Sequence, residues 1–198
     1  MYVTEDMITA MAEHYGQPST ADFAFAVAPE EYRRIRDSQK NGRRHDFTVY
    51  AIKGGRVIVI AKPFYPPGLY RAPSGGAGPG EGLSEGIARE MWEETGCRVD
   101  LERFLLRTHV RFVLGDRGGP LAASDGSDGS AIDWYSHVFQ ARYATGEFLF
   151  TDRREIREVR LAAPEEFAAF SKIMRRTEIG GLHYRAALHE AVADLLVL

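Results

Sequence analysis

The chain has 198 residues, 44% of them hydrophobic and 27% charged, a balance that fits a folded globular protein and excludes the composition of a disordered one. Its formal net charge is −3 with both signs interspersed, so it lacks the basic field that a nucleic-acid partner normally requires. One cysteine, Cys97, excludes an intramolecular disulfide, no segment reaches the roughly 20 apolar residues of a membrane span, and no basic leader precedes an apolar block, which makes the cytoplasm the expected location and argues against a membrane partner.

Thr4 is placed to cap a helix running to about His14, with Met7, Ile8 and Met11 on one face and Gly16 and Pro18 ending it. Phe23 to Val27 alternates large and small apolar side chains as a strand does, and Pro29 to Asp37 reads as a charged helix opened by proline. These elements form an N-terminal extension, residues 1–42, expected to cover the core or to serve as a homodimer arm through its apolar strand. Residues 43–198 form the main domain. It opens with two β-rich runs, Phe47 to Ile52 and Arg56 to Ala61, joined by Lys53-Gly54-Gly55, a hairpin signal. The proline-rich run Pro63 to Gly68 cannot sit inside a sheet, because proline lacks the ladder donor, and is expected as a structured loop. Gly75, Gly76, Gly78 and Gly80 then invite positive φ values and close approach of the main chain, and a helical pattern starts near Ser84.

Val99 to Leu114 predicts one or two strands, followed by a Gly/Asp/Ser-rich connection from Gly115 to Ser130 in which Asp125 and Asp128 lack the spacing of a calcium loop. Trp134 to Tyr143 and Glu155 to Ala162 predict strands, Pro164 to Phe170 a short helix, and Leu182 to Leu198 a closing amphipathic helix. This irregular alternation points away from a doubly wound parallel sheet and toward an α/β fold with a mixed sheet between helices. His109 and His137 lie in strand patterns and are expected to be structural; with no Cys/His cluster, zinc is not expected.

The densest chemistry lies in the helix after the glycine loop. At about 3.6 residues per turn, Glu90, Glu93 and Glu94 share one arc of roughly 100°, while Leu83, Ile87 and Met91 occupy the neighbouring arc and would dock on the sheet. Three like charges so close repel unless a cation sits among them, and oxygen-only ligands suit Mg²⁺, with Mn²⁺ as a substitute. Arg89, four residues after Glu85 and four before Glu93, is placed to brace this helix. Gly96 fits the left-handed position that terminates it.

From Gly75 through Glu81, Arg89-Glu90 and Glu93-Glu94 to Gly96-Cys97, the sequence follows the pattern Gx5Ex7REUxEExGU, with U a bulky apolar residue, and in this it resembles the Nudix hydrolase family. The likeness is close over this box and loose, in strand order, from about Asp46 onward. It implies an α/β/α sandwich with a mixed sheet and a Mg²⁺-dependent hydrolase that cleaves the diphosphate linkage of a nucleoside diphosphate joined to another moiety. Glu90, Glu93 and Glu94 would be its metal ligands and catalytic carboxylates, and Gly75, Gly76, Glu81, Arg89 and Gly96 structural parts of the box. The family takes its general base from the box helix or from a downstream loop; the candidate here is Glu155, beside Asp152 and Glu158. Lys62, Tyr65 and Arg71 flank the proline-rich loop and are candidate contacts to phosphate or base. Two other readings share the fold: a nucleotide-ligand sensor without turnover, which the complete glutamate set argues against, and an RNA 5′-end pyrophosphohydrolase, which the net charge argues against. Near Phe112 and Val113 the chain lacks the proline that ADP-sugar members often carry, which weakens an ADP-ribose reading.

Overall fold

A computed structural model describes residues 2–39, 42–122, 125 and 131–197. The Thr4 hydroxyl accepts a hydrogen bond from the Met7 amide at 3.3 Å and opens helix α1 (Glu5–Tyr15), which buries Ile8 and Met11. Strand β1 (Ser19–Val27) and helix α2 (Pro29–Ser38), which begins on proline, follow. The hairpin forms with Gly54 and Gly55 both at positive φ, 57° and 71°, joining β2 (His45–Lys53) to β3 (Arg56–Ala61). Next come β4 (Ser74–Gly75), α3 (Leu83–Thr95), β5 (Cys97–Leu114), β6 (Gly119–Leu121), β7 (Ile132–Gly146), β8 (Glu158–Ala162), α4 (Glu166–Met174) and α5 (Gly180–Val192).

The strands make one mixed sheet in the order β6-β1-β5-β7-β2-β3-β8, with β4 attached to β2. β1 runs parallel to β5 and β2 parallel to β7, and the remaining pairs are antiparallel. Alternation of side chains across the pleat produces two cores. Phe47, Val49, Ile58 and Phe139 pack with Ile8 of α1 and with Leu83, Ile87 and Met91 of α3. On the opposite face Tyr50, Val57, Val59 and Val138 pack with Phe170 and Met174 of α4 and with Leu182 and Leu188 of α5. Each such side chain contributes roughly 1.5–3 kcal/mol on burial, and the result is the sandwich of helices about a mixed sheet. Among the described residues, no helix is long and apolar enough to cross a membrane.

Several expectations shift in the structure. Cys97–Leu114 is one strand, interrupted by register shifts rather than broken in two. Part of the Gly115 to Ser130 connection pairs with β1 as β6, and Asp128 lies outside the described residues. The closing helix ends at Val192, because its downstream backbone has other partners: Gln140 brackets the Val197 backbone at 2.9 and 3.0 Å, and Arg103 donates to the Leu195 carbonyl at 2.8 Å. Glu155 precedes β8, in a turn where the Asp152 carboxylate accepts the Arg154 and Glu155 amides, each at 3.1 Å. β1 pairs with β5 along its whole length and with β6 over Ala24 to Ala26, so it is part of the central sheet. The Glu31 carboxylate accepts the Gly180 and Gly181 amides at 2.9 and 2.8 Å and ties α2 to the start of α5.

His109 sits between the carboxylates of Asp22 and Asp133, 3.1 and 2.6 Å away. His137 is buried, and the burial pushes its pKa down to about 3; His189 on α5, packed against Tyr50 and Phe167, is lowered to about 3 by the same cause. Both pKa values lie below the ordinary 6.5, so from about 3 to 6.5 the unfolded chain binds more protons than the folded one. The stability from burying them neutral is therefore full above 6.5 and drains as pH falls through that window. Denaturant unfolding across the window is expected to show His137→Asn and His189→Asn each flattening the slope by about 1.4 kcal/mol per pH unit, and unchanged slopes would contradict this.

Candidate active site

Glu94 lies on the buried face of α3 with Leu83, Ile87 and Met91, and is only 5% exposed. A carboxylate so placed must find partners. It accepts the Ser74 amide at 3.1 Å and stands 3.6 Å from the Arg71 guanidinium. Burial still pushes its carboxyl above the usual glutamate range, against the opposing pull of Arg71 and Lys62. Arg71 is buried too, donating to the Tyr65 hydroxyl at 2.9 Å, the Ala72 carbonyl at 2.8 Å and the Ser74 hydroxyl at 2.9 Å. Arg71 thus braces Glu94 and is itself held by Tyr65, while both Arg71 and Tyr65 line the cavity beside the carboxylates.

Glu90 and Glu93 are held differently. The Arg89 guanidinium donates to Glu81 at 2.8 and 2.9 Å, to Glu90 at 3.0 Å, to Glu93 at 3.1 Å and to the Gly76 carbonyl at 3.0 Å. Those bonds hold the Glu81 carboxyl below its usual range, and Glu81 also accepts the Gly78 amide at 2.7 Å, clamping the glycine loop to the helix. Glu85 is not a partner of Arg89, because it reaches back to the Gly82 amide at 2.9 Å at the helix start. The loop glycines owe their place mainly to close approach. A Cβ on Gly75 would collide with the Glu90 carboxylate and one on Gly76 with the Arg43 guanidinium, while of Gly75, Gly76, Gly78 and Gly80 only Gly80 has positive φ, 82°. Gly96 closes the helix in the left-handed region at φ 67°.

Glu90, Glu93 and Glu94 open on one cavity of about 400 Å³, together with Asp152, Glu155 and Lys62. The downstream loop arrives there because the Thr151 and Asp152 amides donate to the Glu93 carbonyl at 3.1 and 3.3 Å, and Ile156 is buried behind them. Lys62 donates to Glu155 at 2.6 Å. The carboxylates share the basin without converging on a point: among the described residues no three form a ready metal nest. Arg89 holds two of them and Arg71 with Ser74 the third. Their donor set, all carboxylate oxygen, still fits a hard divalent cation.

The basin is also lined by Arg43, Asp46 and Arg185, which sequence reasoning missed. Arg185 of α5 donates to Asp46 at 3.0 Å and to the Thr48 hydroxyl at 2.7 Å, and Asp46 also accepts the Ser136 hydroxyl. No local pattern marks these residues, since α5 and β2 meet only in the fold.

Residues 42–179 match the family model of the NUDIX domain. Over 78 residues the chain is 41% identical to the NAD-capped RNA hydrolase NudC of Chromobacterium violaceum, a match covering 39% of this chain and 29% of that relative's length. Among solved structures it is similar to a UDP-X diphosphatase, with TM-score 0.47 and 16% identity over 80% of this chain and 71% of that one. It is also similar to a NUDIX hydrolase from Nitrosomonas europaea, with TM-score 0.49 and 17% identity over 76% of this chain and 69% of that one.

Removing Arg71 strands a buried carboxylate. Arg71→Met is expected to lower the unfolding free energy by about 3–5 kcal/mol in denaturant titration, with part of the loss recovered when Glu94→Gln is added. A cost below about 1 kcal/mol, the scale of an exposed pair, would show that Glu94 does not depend on it.

Proposed function

The chain belongs to the Nudix family, and from that premise we propose that it is a pyrophosphohydrolase cleaving the diphosphate linkage of a nucleoside diphosphate joined to another moiety. The observation that carries this reading is the gathering of Glu90, Glu93, Glu94 and Glu155 around one basin with Lys62, Arg43 and Arg185 on its walls. Magnesium, or manganese in its place, bound by Glu90, Glu93 and Glu94 supplies charge neutralisation at the phosphoryl oxygens and a more acidic water. Glu155 is the general base of this reading, solvent-accessible and steadied by Lys62 at 2.6 Å. It takes a proton from water as the water oxygen bonds to phosphorus and the bridging P–O bond breaks, leaving two phosphate-ended products. Lys62, Arg43 and Arg185 offer donors to the diphosphate oxygens, and Arg89 positions Glu90 and Glu93 without touching the reacting atoms. The cytoplasm is the location that accompanies this reading.

The local similarity to an NAD-capped RNA hydrolase favours one further reading, in which the dinucleotide-like end of an RNA is the substrate. The net charge of −3 weighs against contact with a long RNA body. A sensor without turnover would have no use for the full carboxylate set.

Turnover of nucleotide sugars and dinucleotides with magnesium tests the assignment. Glu94→Gln is expected to lower kcat at least about 10²-fold with an unchanged circular dichroism spectrum, and Glu155→Gln by about 10²- to 10⁴-fold. Near-normal turnover in Glu94→Gln would falsify the ligand role, and near-normal turnover in Glu155→Gln would move the base to the box helix.

A further inference from the structure

A second cavity of about 510 Å³ adjoins the carboxylate basin, a size suited to a small ligand. The two cavities share Arg43, Lys62, Arg71 and Arg185, so the boundary between them is a belt made wholly of cations. Beyond the belt the lining turns apolar, with the rings of Phe64 and Trp134 and the aliphatic side chains of Ile35 and Leu182. Phe64 is 66% exposed although it is a large apolar side chain. Two polar side chains on that wall are turned to backbone, Glu31 to the Gly180 and Gly181 amides and the Ser38 hydroxyl to the Ile35 carbonyl at 2.7 Å, and Arg34 also lines it.

Three members of the belt already face carboxylates: Lys62 pairs with Glu155, Arg71 with Glu94 and Arg185 with Asp46. Arg43 differs. Its Nε is buried without a hydrogen-bond partner, and it makes no ion pair among the described residues. Its guanidinium stands 6.0 Å over the Trp134 ring. A buried N–H left unpaired costs free energy until an acceptor reaches it. At the junction of a carboxylate basin and an aromatic chamber, the fitting acceptor is a phosphate oxygen whose ester carries a planar ring.

Resting on the pyrophosphohydrolase reading, we propose that this chamber is the nucleobase seat: the base lies against Trp134, the diphosphate crosses the cationic belt and accepts from Arg43, and the scissile bridge faces the carboxylates. α2, which supplies Ile35 and Glu31, lies outside the residues that match the family model, so this seat belongs to the particular chain and not to its box. With Glu31 and Ser38 spent on backbone, recognition in the seat falls mainly to the flat face of the ring, with Arg34 also in the lining. Adenine, guanine and uracil substrates are therefore handled within about 10-fold of each other, as stacking tolerates any base.

Two measurements test this. In the first, kcat/KM is compared for a nucleoside diphosphate sugar and a base-free sugar diphosphate. Trp134→Ala is expected to lower the ratio of the two values by about 10-fold or more, the scale of a lost base–aromatic stack, and Trp134→Phe to restore most of it. Equal losses on both substrates, or an unchanged ratio, would overturn the seat. In the second, Trp92→Phe leaves Trp134 as the sole tryptophan, and ADP or UDP is expected to quench its fluorescence where inorganic pyrophosphate does not. Absence of quenching by ADP or UDP at concentrations that saturate its binding in calorimetry would place the base elsewhere. If the chain hydrolysed no diphosphate at all, the pyrophosphohydrolase reading would fail alone, and the fluorescence would still decide the seat.

Discussion

A carboxylate pressed into the side of a sheet, answered by one buried guanidinium, is the constraint on which the site rests. Glu94 occupies a helix position that packing gives to apolar residues, and Arg71 with the Ser74 amide makes that position tenable. The same Arg71 binds the Ala72 carbonyl and the Ser74 hydroxyl, so the short strand and the glycine loop beyond it take their place from the pair. Once that loop is fixed, the Glu90 carboxylate lies against Gly75 and Arg89 can reach the Gly76 carbonyl. The Arg71–Glu94 pair thus sets the depth of one acidic group, and the Arg89 bonds hold the other two beside it.

Around that pair the site divides into three zones. The carboxylate basin is acidic, the belt of Arg43, Lys62, Arg71 and Arg185 is basic, and the chamber beyond it carries the rings of Phe64 and Trp134 and the side chains of Ile35 and Leu182. The N-terminal elements take part in the fold, since Glu31 fixes α2 against the start of α5 and β1 is built into the sheet.

What the sequence revealed follows the range of the interaction that encodes it. Thr4, the Gly54-Gly55 turn, the Leu83/Ile87/Met91 stripe and the left-handed Gly96 are set by neighbours within a few residues, and a pattern along the chain suffices to read them. Glu90, Glu93 and Glu94 share one basin for the same reason, being close on one helix. Arg185 reaching Asp46, Gln140 capturing the backbone at Val197 and β1 pairing with β5 are long-range, so no spacing announces them. The loop glycines were legible as glycines but not by cause, because close approach of Glu90 and Arg43 is visible only once the helix and the strand are packed. Arg71 shows the limit most clearly: a pattern along the chain places a cation beside the box, but not its burial against Glu94, Tyr65 and Ser74.

Hydrolysis at phosphorus is read out by incubating the protein with magnesium and a nucleoside diphosphate sugar in heavy-oxygen water. Mass spectrometry is expected to find two phosphate-ended products, one carrying a single heavy oxygen on phosphorus. No cleavage across nucleotide sugars, dinucleotides and nucleoside triphosphates, or label on carbon in place of phosphorus, would contradict it.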